Sequence, residues 1–130
     1  MIVVDASALL EVLLRRPAAD DVESWLRRPG QTIHAPHLID VEVTQVVRRF
    51  AMRGEIDGQR GRTALADFSL ISIERYPHDA FLFRAWELRN NFSAYDAMYV
   101  ALAEVLDVPL ITCDRRLANT AGHSASIEVL

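Results

Sequence analysis

Asp5 stands directly behind the apolar run Ile2-Val3-Val4 and directly ahead of Ala6-Ser7-Ala8-Leu9-Leu10, and the same order returns at Leu110-Ile111-Thr112-Cys113-Asp114. Each short apolar run reads as a buried strand that delivers one carboxylate to its carboxyl end. Open parallel α/β sheets bind their ligands outside the carboxyl ends of the strands, so the two Asp residues are expected to face one site. Two carboxylates brought together in this way call for a cation.

The remaining sequence alternates in the same sense. Hydrophobic period and chain breakers predict strands at 2–4, 32–35, 70–75, 109–113 and 126–129. Between them they predict helices at 6–15, 18–28, 37–53, 57–69, 78–90, 94–106 and 115–121. Pro29-Gly30, Gly54 and Gly122 close three of these helices. Strands alternating with helices argue for an α/β sandwich on a mostly parallel sheet of about five strands. With 130 residues, 51% of them hydrophobic, and no linker or repeat, residues 1–130 form a single domain with one core.

Composition removes several function classes. All 14 basic residues are Arg, so any lysine-dependent chemistry is excluded, including a P-loop, a Schiff base and a lysine-assisted aspartyl-phosphate site. The net charge of −4 shows no basic nucleic-acid face, yet two divalent cations would cancel it, so the balance leaves a nucleic-acid substrate open. The single cysteine, Cys113, sits in an apolar strand pattern and permits no internal disulfide. There is no signal peptide pattern and no long uninterrupted apolar stretch, which makes a cytoplasmic protein with no membrane contact the expectation.

Two further acids stand near helix starts on apolar backgrounds: Glu42, in Ala35-Pro36-His37-Leu38-Ile39-Asp40-Val41-Glu42-Val43, and Asp96, in Ser93-Ala94-Tyr95-Asp96-Ala97-Met98. One turn into its helix, the Glu42 carboxylate is expected to point back toward the preceding strand end. Four converging carboxylates raise one another's pKa values unless a hard cation joins them, and Mg²⁺ or Mn²⁺ accepts a few carboxylates, waters and substrate phosphate as oxygen ligands. The reaction class that follows is metal-assisted phosphodiester hydrolysis.

These segments, with Tyr99-Val100-Ala101-Leu102-Ala103-Glu104 and Asp114-Arg115-Arg116-Leu117, resemble in order and spacing the signatures of PIN-domain nucleases. The chain is most similar to the short VapC-type toxins of toxin–antitoxin pairs. The resemblance covers the whole chain and implies a three-layer α/β/α fold, an Mg²⁺- or Mn²⁺-dependent endoribonuclease leaving 5′-phosphate and 3′-hydroxyl ends, a homodimer and a cognate antitoxin. Carried over, it makes Asp5, Glu42, Asp96 and Asp114 the catalytic and metal-holding quartet, with Ser7 as an accessory hydroxyl. Glu42 or Asp96 could instead orient the attacking water, and Arg115 or Arg116 could contact a flanking phosphate.

Each residue also has a plainer role open to it. Asp5 and Asp114 suit N-caps, and Ser93-x-x-Asp96 suits a capping box. Asp40 competes with Glu42, Ser7 could satisfy backbone, and Asn119 suits a helix end. His34, His37, His78 and His123 lack metal-ligand spacing, and Trp25 and Trp86 suit packing. The apolar face of 6–14 and 18–26 could receive an antitoxin segment. Two other readings remain at this level: a catalytically silent PIN-like RNA- or protein-binding module, and a small phosphatase with Asp5 as nucleophile.

Overall fold

The computed structural model describes residues 1–130 and places the first apolar run at the centre of the sheet. That run is β1 (Ile2–Val4), flanked by β2 (Ile33–Pro36) and β4 (Leu110–Thr112), with β3 (Ile73–Tyr76) and β5 (Ile127–Val129) at the edges. The order is β3-β2-β1-β4-β5 and every neighbouring pair is parallel, so the expected mostly parallel sheet is wholly parallel. All residues of β1 and β4 are buried, which is why both read as unbroken apolar runs. Val4 sits opposite Ile111, and the Asp5 amide donates to the Ile111 carbonyl at 3.3 Å. The end of β1 therefore lies beside the end of β4.

The helices are α1 (Ala6–Leu13), α2 (Ala19–Leu26), α3 (Leu38–Met52), α4 (Gly58–Leu70), α5 (Leu82–Glu87), α6 (Ala94–Leu106) and α7 (Arg115–Ala118). The chain first winds from β1 outward to β3, then crosses back to β4 and β5; right-handed crossovers place α1–α4 on one face and α5–α7 on the other. In keeping with this, α1 packs against α2, α3 and α4, while α6 lies across β1, β2 and β4. The sheet order reverses at β1, which makes the crevice beside it the switch point of the fold.

Helix α6 is buried without a break from Ala97 to Ala103. Its small residues let it lie close on the sheet, and Asp107, at φ 53°, ends it in the left-handed conformation before β4 begins. Gly54, at φ 73°, ends α3 in the same way. The face of α1 and α2 that carries Ala8, Leu9, Leu10, Leu13 and Val22 is buried by packing between the two helices and the sheet.

Several segments differ from expectation: α1, α2 and α7 end early, at Leu13, Leu26 and Ala118, and two others change more in kind. Residues 78–90 divide into a 3-10 turn, His78–Phe81, and the shorter α5, because the break puts Phe81 into the core. The third strand begins at Ile73 instead of 70, since Leu70 continues α4, and it extends to Tyr76 to pair with Pro36. No helix is long and apolar enough to cross a membrane.

Candidate active site

A cleft of about 810 Å³ opens at the carboxyl edge of β1, and Asp5, Glu42, Asp96 and Asp114 all line it. They come from four elements: Asp5 between β1 and α1, Glu42 in α3, Asp96 in α6 and Asp114 between β4 and α7. Ser7, Arg16, Arg49, Tyr99 and Arg116 share the walls. Arg115 is not among the lining residues.

Asp5 is the floor, only 6% exposed. Its Oδ1 accepts from the Ser7 hydroxyl at 2.6 Å and from the Ala8 amide at 3.0 Å, and its Oδ2 accepts from the buried Thr112 hydroxyl. Asp5 therefore caps α1 and also faces the cleft; the structure gives it both roles. A carboxylate offers about four lone-pair sites, so three donors leave one on Oδ2. Burial pushes Asp5 above the ordinary carboxylate range, against these hydrogen bonds, and the Asp114 charge adds to the rise.

The two hydroxyls are themselves fixed from behind. Ser7 Oγ accepts from the Cys113 amide at 2.8 Å, and Thr112 Oγ1 accepts from the Asp114 amide at 2.9 Å. With both hydroxyl protons directed at Asp5, the 3.1 Å contact between Ser7 Oγ and Thr112 Oγ1 has no proton of its own. Thr112 thus ties the Asp5 side chain to the Asp114 backbone, a link the sequence reading missed.

The rim acids are held differently. Tyr99 donates to Glu42 Oε2 at 2.6 Å, and burial pushes Glu42 up, opposed by that hydrogen bond and reinforced by the Asp5 and Asp96 charges. Asp96 is raised by burial and then by Asp114, with Ser93 and Arg116 opposing. The Ser93 hydroxyl accepts from the Asp96 amide at 3.1 Å, so Ser93 caps α6 while the Asp96 carboxylate faces the cleft. Asp114 caps α7 through the Arg116 amide and forms an ion pair with the Arg116 guanidinium at 2.6 Å, which holds it below the usual carboxylate range.

The competing residues separate from the site. Asp40 accepts a forked pair of bonds from Arg75 at 2.8–3.0 Å and does not line the cleft. Asn119 donates to the Arg115 carbonyl at the end of α7. His34 bonds Thr32 and Tyr76, and His78 accepts from the Leu38 amide. Trp25 packs under Arg28 against the core, whereas Trp86 is 67% exposed. The Cys113 thiol, beside Asp5 and Glu11, is pushed up to about 11, mainly by burial, and is no nucleophile at neutral pH.

No three of the acids close tightly on one point. Mg²⁺ binds through one or two carboxylates and keeps its waters, so a wide ring of oxygens around an open cleft suits it, and three of the acids are raised chiefly by burial and further by the neighbouring carboxylates. Nitrogen and sulfur ligands are absent from this oxygen set apart from Cys113, which points to a hard cation.

Sheet order and acidic cleft together define an α/β/α domain with its candidate site at the switch point of a parallel sheet. The PIN domain family model matches residues 2–123. The chain is 45% identical over 130 residues to ribonuclease VapC12 of Mycobacterium tuberculosis, covering 100% of this chain and 99% of that one. Among solved structures it is similar to PAE2754 from Pyrobaculum aerophilum, with TM-score 0.70, 27% identity and coverage of 98% and 83% of the two chains. It also shares the fold of a chain of VapBC-5, a member of the VapBC family of toxin–antitoxin systems from Mycobacterium tuberculosis, at TM-score 0.54 and 20% identity, over 98% and 95% of the chains. The chain belongs to the PIN-domain family, in its VapC ribonuclease branch.

Proposed function

We propose that this protein is an Mg²⁺- or Mn²⁺-dependent endoribonuclease, the toxin of a toxin–antitoxin pair, acting in the cytoplasm as a homodimer and held in check by an antitoxin protein. The observation that carries the reading is the gathering of Asp5, Glu42, Asp96 and Asp114 from four separate elements around one cleft. The ribonuclease name of the 45% identical relative supports RNA as substrate, and the toxin–antitoxin name of the VapBC neighbour supports the antitoxin. Phe83 and Trp86 leave large apolar side chains uncovered on α5, as a chain with protein partners does.

Asp5, Glu42, Asp96 and Asp114 would hold the cation. When bound, it supplies positive charge beside the phosphodiester and acidifies water for attack. The residues of the chain do the rest. Ser7, Thr112 and the Ala8 amide fix the Asp5 carboxylate before substrate arrives. Glu42 or Asp96 accepts the proton of the attacking water as its oxygen bonds to phosphorus; the bond from phosphorus to the 3′-oxygen breaks, and that oxygen takes a proton from bulk water to leave as a hydroxyl. Arg116 lies at the cleft edge, placed to contact a neighbouring phosphate once Asp114 turns to the cation.

The test is incubation of the purified chain, freed of any partner, with total cellular RNA in Mg²⁺, Mn²⁺ or EDTA, beside Asp5→Asn. Discrete fragments that require both the metal and Asp5 are expected. Cleavage that survives EDTA would sink the metal-dependent reading, and a folded chain that cleaves nothing in either metal would favour a silent binding module.

A further inference from the structure

Tyr99 is among the largest fully buried side chains of the molecule, 1% exposed, in the uninterrupted buried stretch of α6. Phe would fill the same core volume without the cost of burying a hydroxyl. The hydroxyl therefore matters for what it touches, and its partner is Glu42 Oε2 at 2.6 Å, 57 positions away in α3. Tyr99 also lies three residues after Asp96 on the same helix, so Asp96 and Tyr99 share a helix face, and both reach the cleft.

The Glu42 side chain is long and flexible, and it faces the charges of Asp5 and Asp96 from across the cleft. Repulsion and hydration both favour its swinging outward to water. No cationic side chain pairs with it; the Tyr99 hydroxyl is the donor that ties Oε2 inward and leaves Oε1 for the cleft. We infer that Tyr99 is a positioning residue for the candidate active site: by binding Glu42 across the α3–α6 boundary, it makes α6 set the placement of two of the four acids. The inference rests on the proposed metal-dependent function and goes beyond it by naming a residue outside the acidic quartet.

The test compares wild type, Tyr99→Phe, Glu42→Gln and the double variant. Each is examined for its unfolding midpoint, for Mn²⁺ binding by isothermal titration without RNA, and for kcat and KM on a cleaved RNA. Residues that orient metal ligands typically change metal affinity or activity by roughly 10–100-fold, so Tyr99→Phe should bind Mn²⁺ about tenfold more weakly and lose kcat with KM for RNA unchanged. It should keep its midpoint, and in the Glu42→Gln background it should have no further effect. A folded Tyr99→Phe with wild-type Mn²⁺ affinity and kcat overturns the inference alone, as does an equal loss with and without Glu42. Wild type that binds Mn²⁺ but cleaves no RNA overturns the proposed function, while the Mn²⁺ comparison still decides the role of Tyr99. Wild type that binds no Mn²⁺ overturns both.

Discussion

Asp5 and Glu42 line one cleft but are built in opposite ways. Asp5 is buried at the end of the central strand with two hydroxyls and an amide donating to it, and those hydroxyls are anchored by the Cys113 and Asp114 amides just after β4. Glu42 stands on the rim, part-exposed, with one neutral donor. The difference shows how the fold divides labour: three donors fix the floor carboxylate, whereas Glu42 on the rim is held by one. Three of the four acids are raised, chiefly by burial, so their charged forms oppose the bare fold, whereas the Arg116 ion pair holds Asp114 below its usual range.

Removing the floor acid should have the largest effect. Asp5→Asn should lower metal-dependent cleavage by more than the roughly 100-fold upper range for outer-shell losses, measured as initial rate at saturating Mg²⁺. A loss no larger than that of Tyr99→Phe would erase the distinction between floor and rim. Next comes the support under the floor. Thr112→Val keeps the shape but removes a donor from Asp5 and the acceptor of the Asp114 amide, so it should cost about 1–3 kcal/mol of stability and roughly tenfold in rate.

The third expectation concerns pH in the presence of EDTA. Asp5 titrates above its unfolded value, so its ionised form opposes folding at neutral pH; that penalty fades as pH falls through the raised folded value and is gone below the unfolded one, near about 3.9. The stability of Asp5→Asn relative to wild type should therefore be greatest at pH 7 and fall on acidification. Asp114 and Glu104 have the opposite sign: their lowered pKa values contribute stability above the unfolded range that is lost as pH falls through the folded value. A gap between Asp5→Asn and wild type that stays constant down to acid pH would contradict the assignment. The smallest effect belongs to the outer rim. Arg116→Gln should reduce the salt slope of RNA binding by about 1, measured in an Asp5→Asn background, whereas Arg115→Gln should leave it unchanged.

The floor was legible because it is local. An apolar run ending in Asp fixes strand, carboxyl end and carboxylate together, and β1 and β4 lie where that pattern puts them. Glu42 was legible from its distance into α3, though it takes the structure to separate it from Asp40, which pairs with Arg75 away from the cleft. Thr112 and Tyr99 were not legible as site residues. Each sits in an apolar stretch where a hydroxyl or a ring reads as packing, and their partners lie 107 and 57 positions away. The break between the 3-10 turn and α5 was missed for a similar reason, since the burial of Phe81 is a tertiary preference and leaves no local stop signal.

The sheet order β3-β2-β1-β4-β5 also has a consequence for biosynthesis. The strand that supplies Asp5 is made first, yet its neighbour β4, which brings Thr112 and then Asp114, is made fourth of the five. A nascent chain therefore has no complete acidic cleft until Asp114 has emerged, well after the segments that carry Asp5, Glu42 and Asp96 have been made.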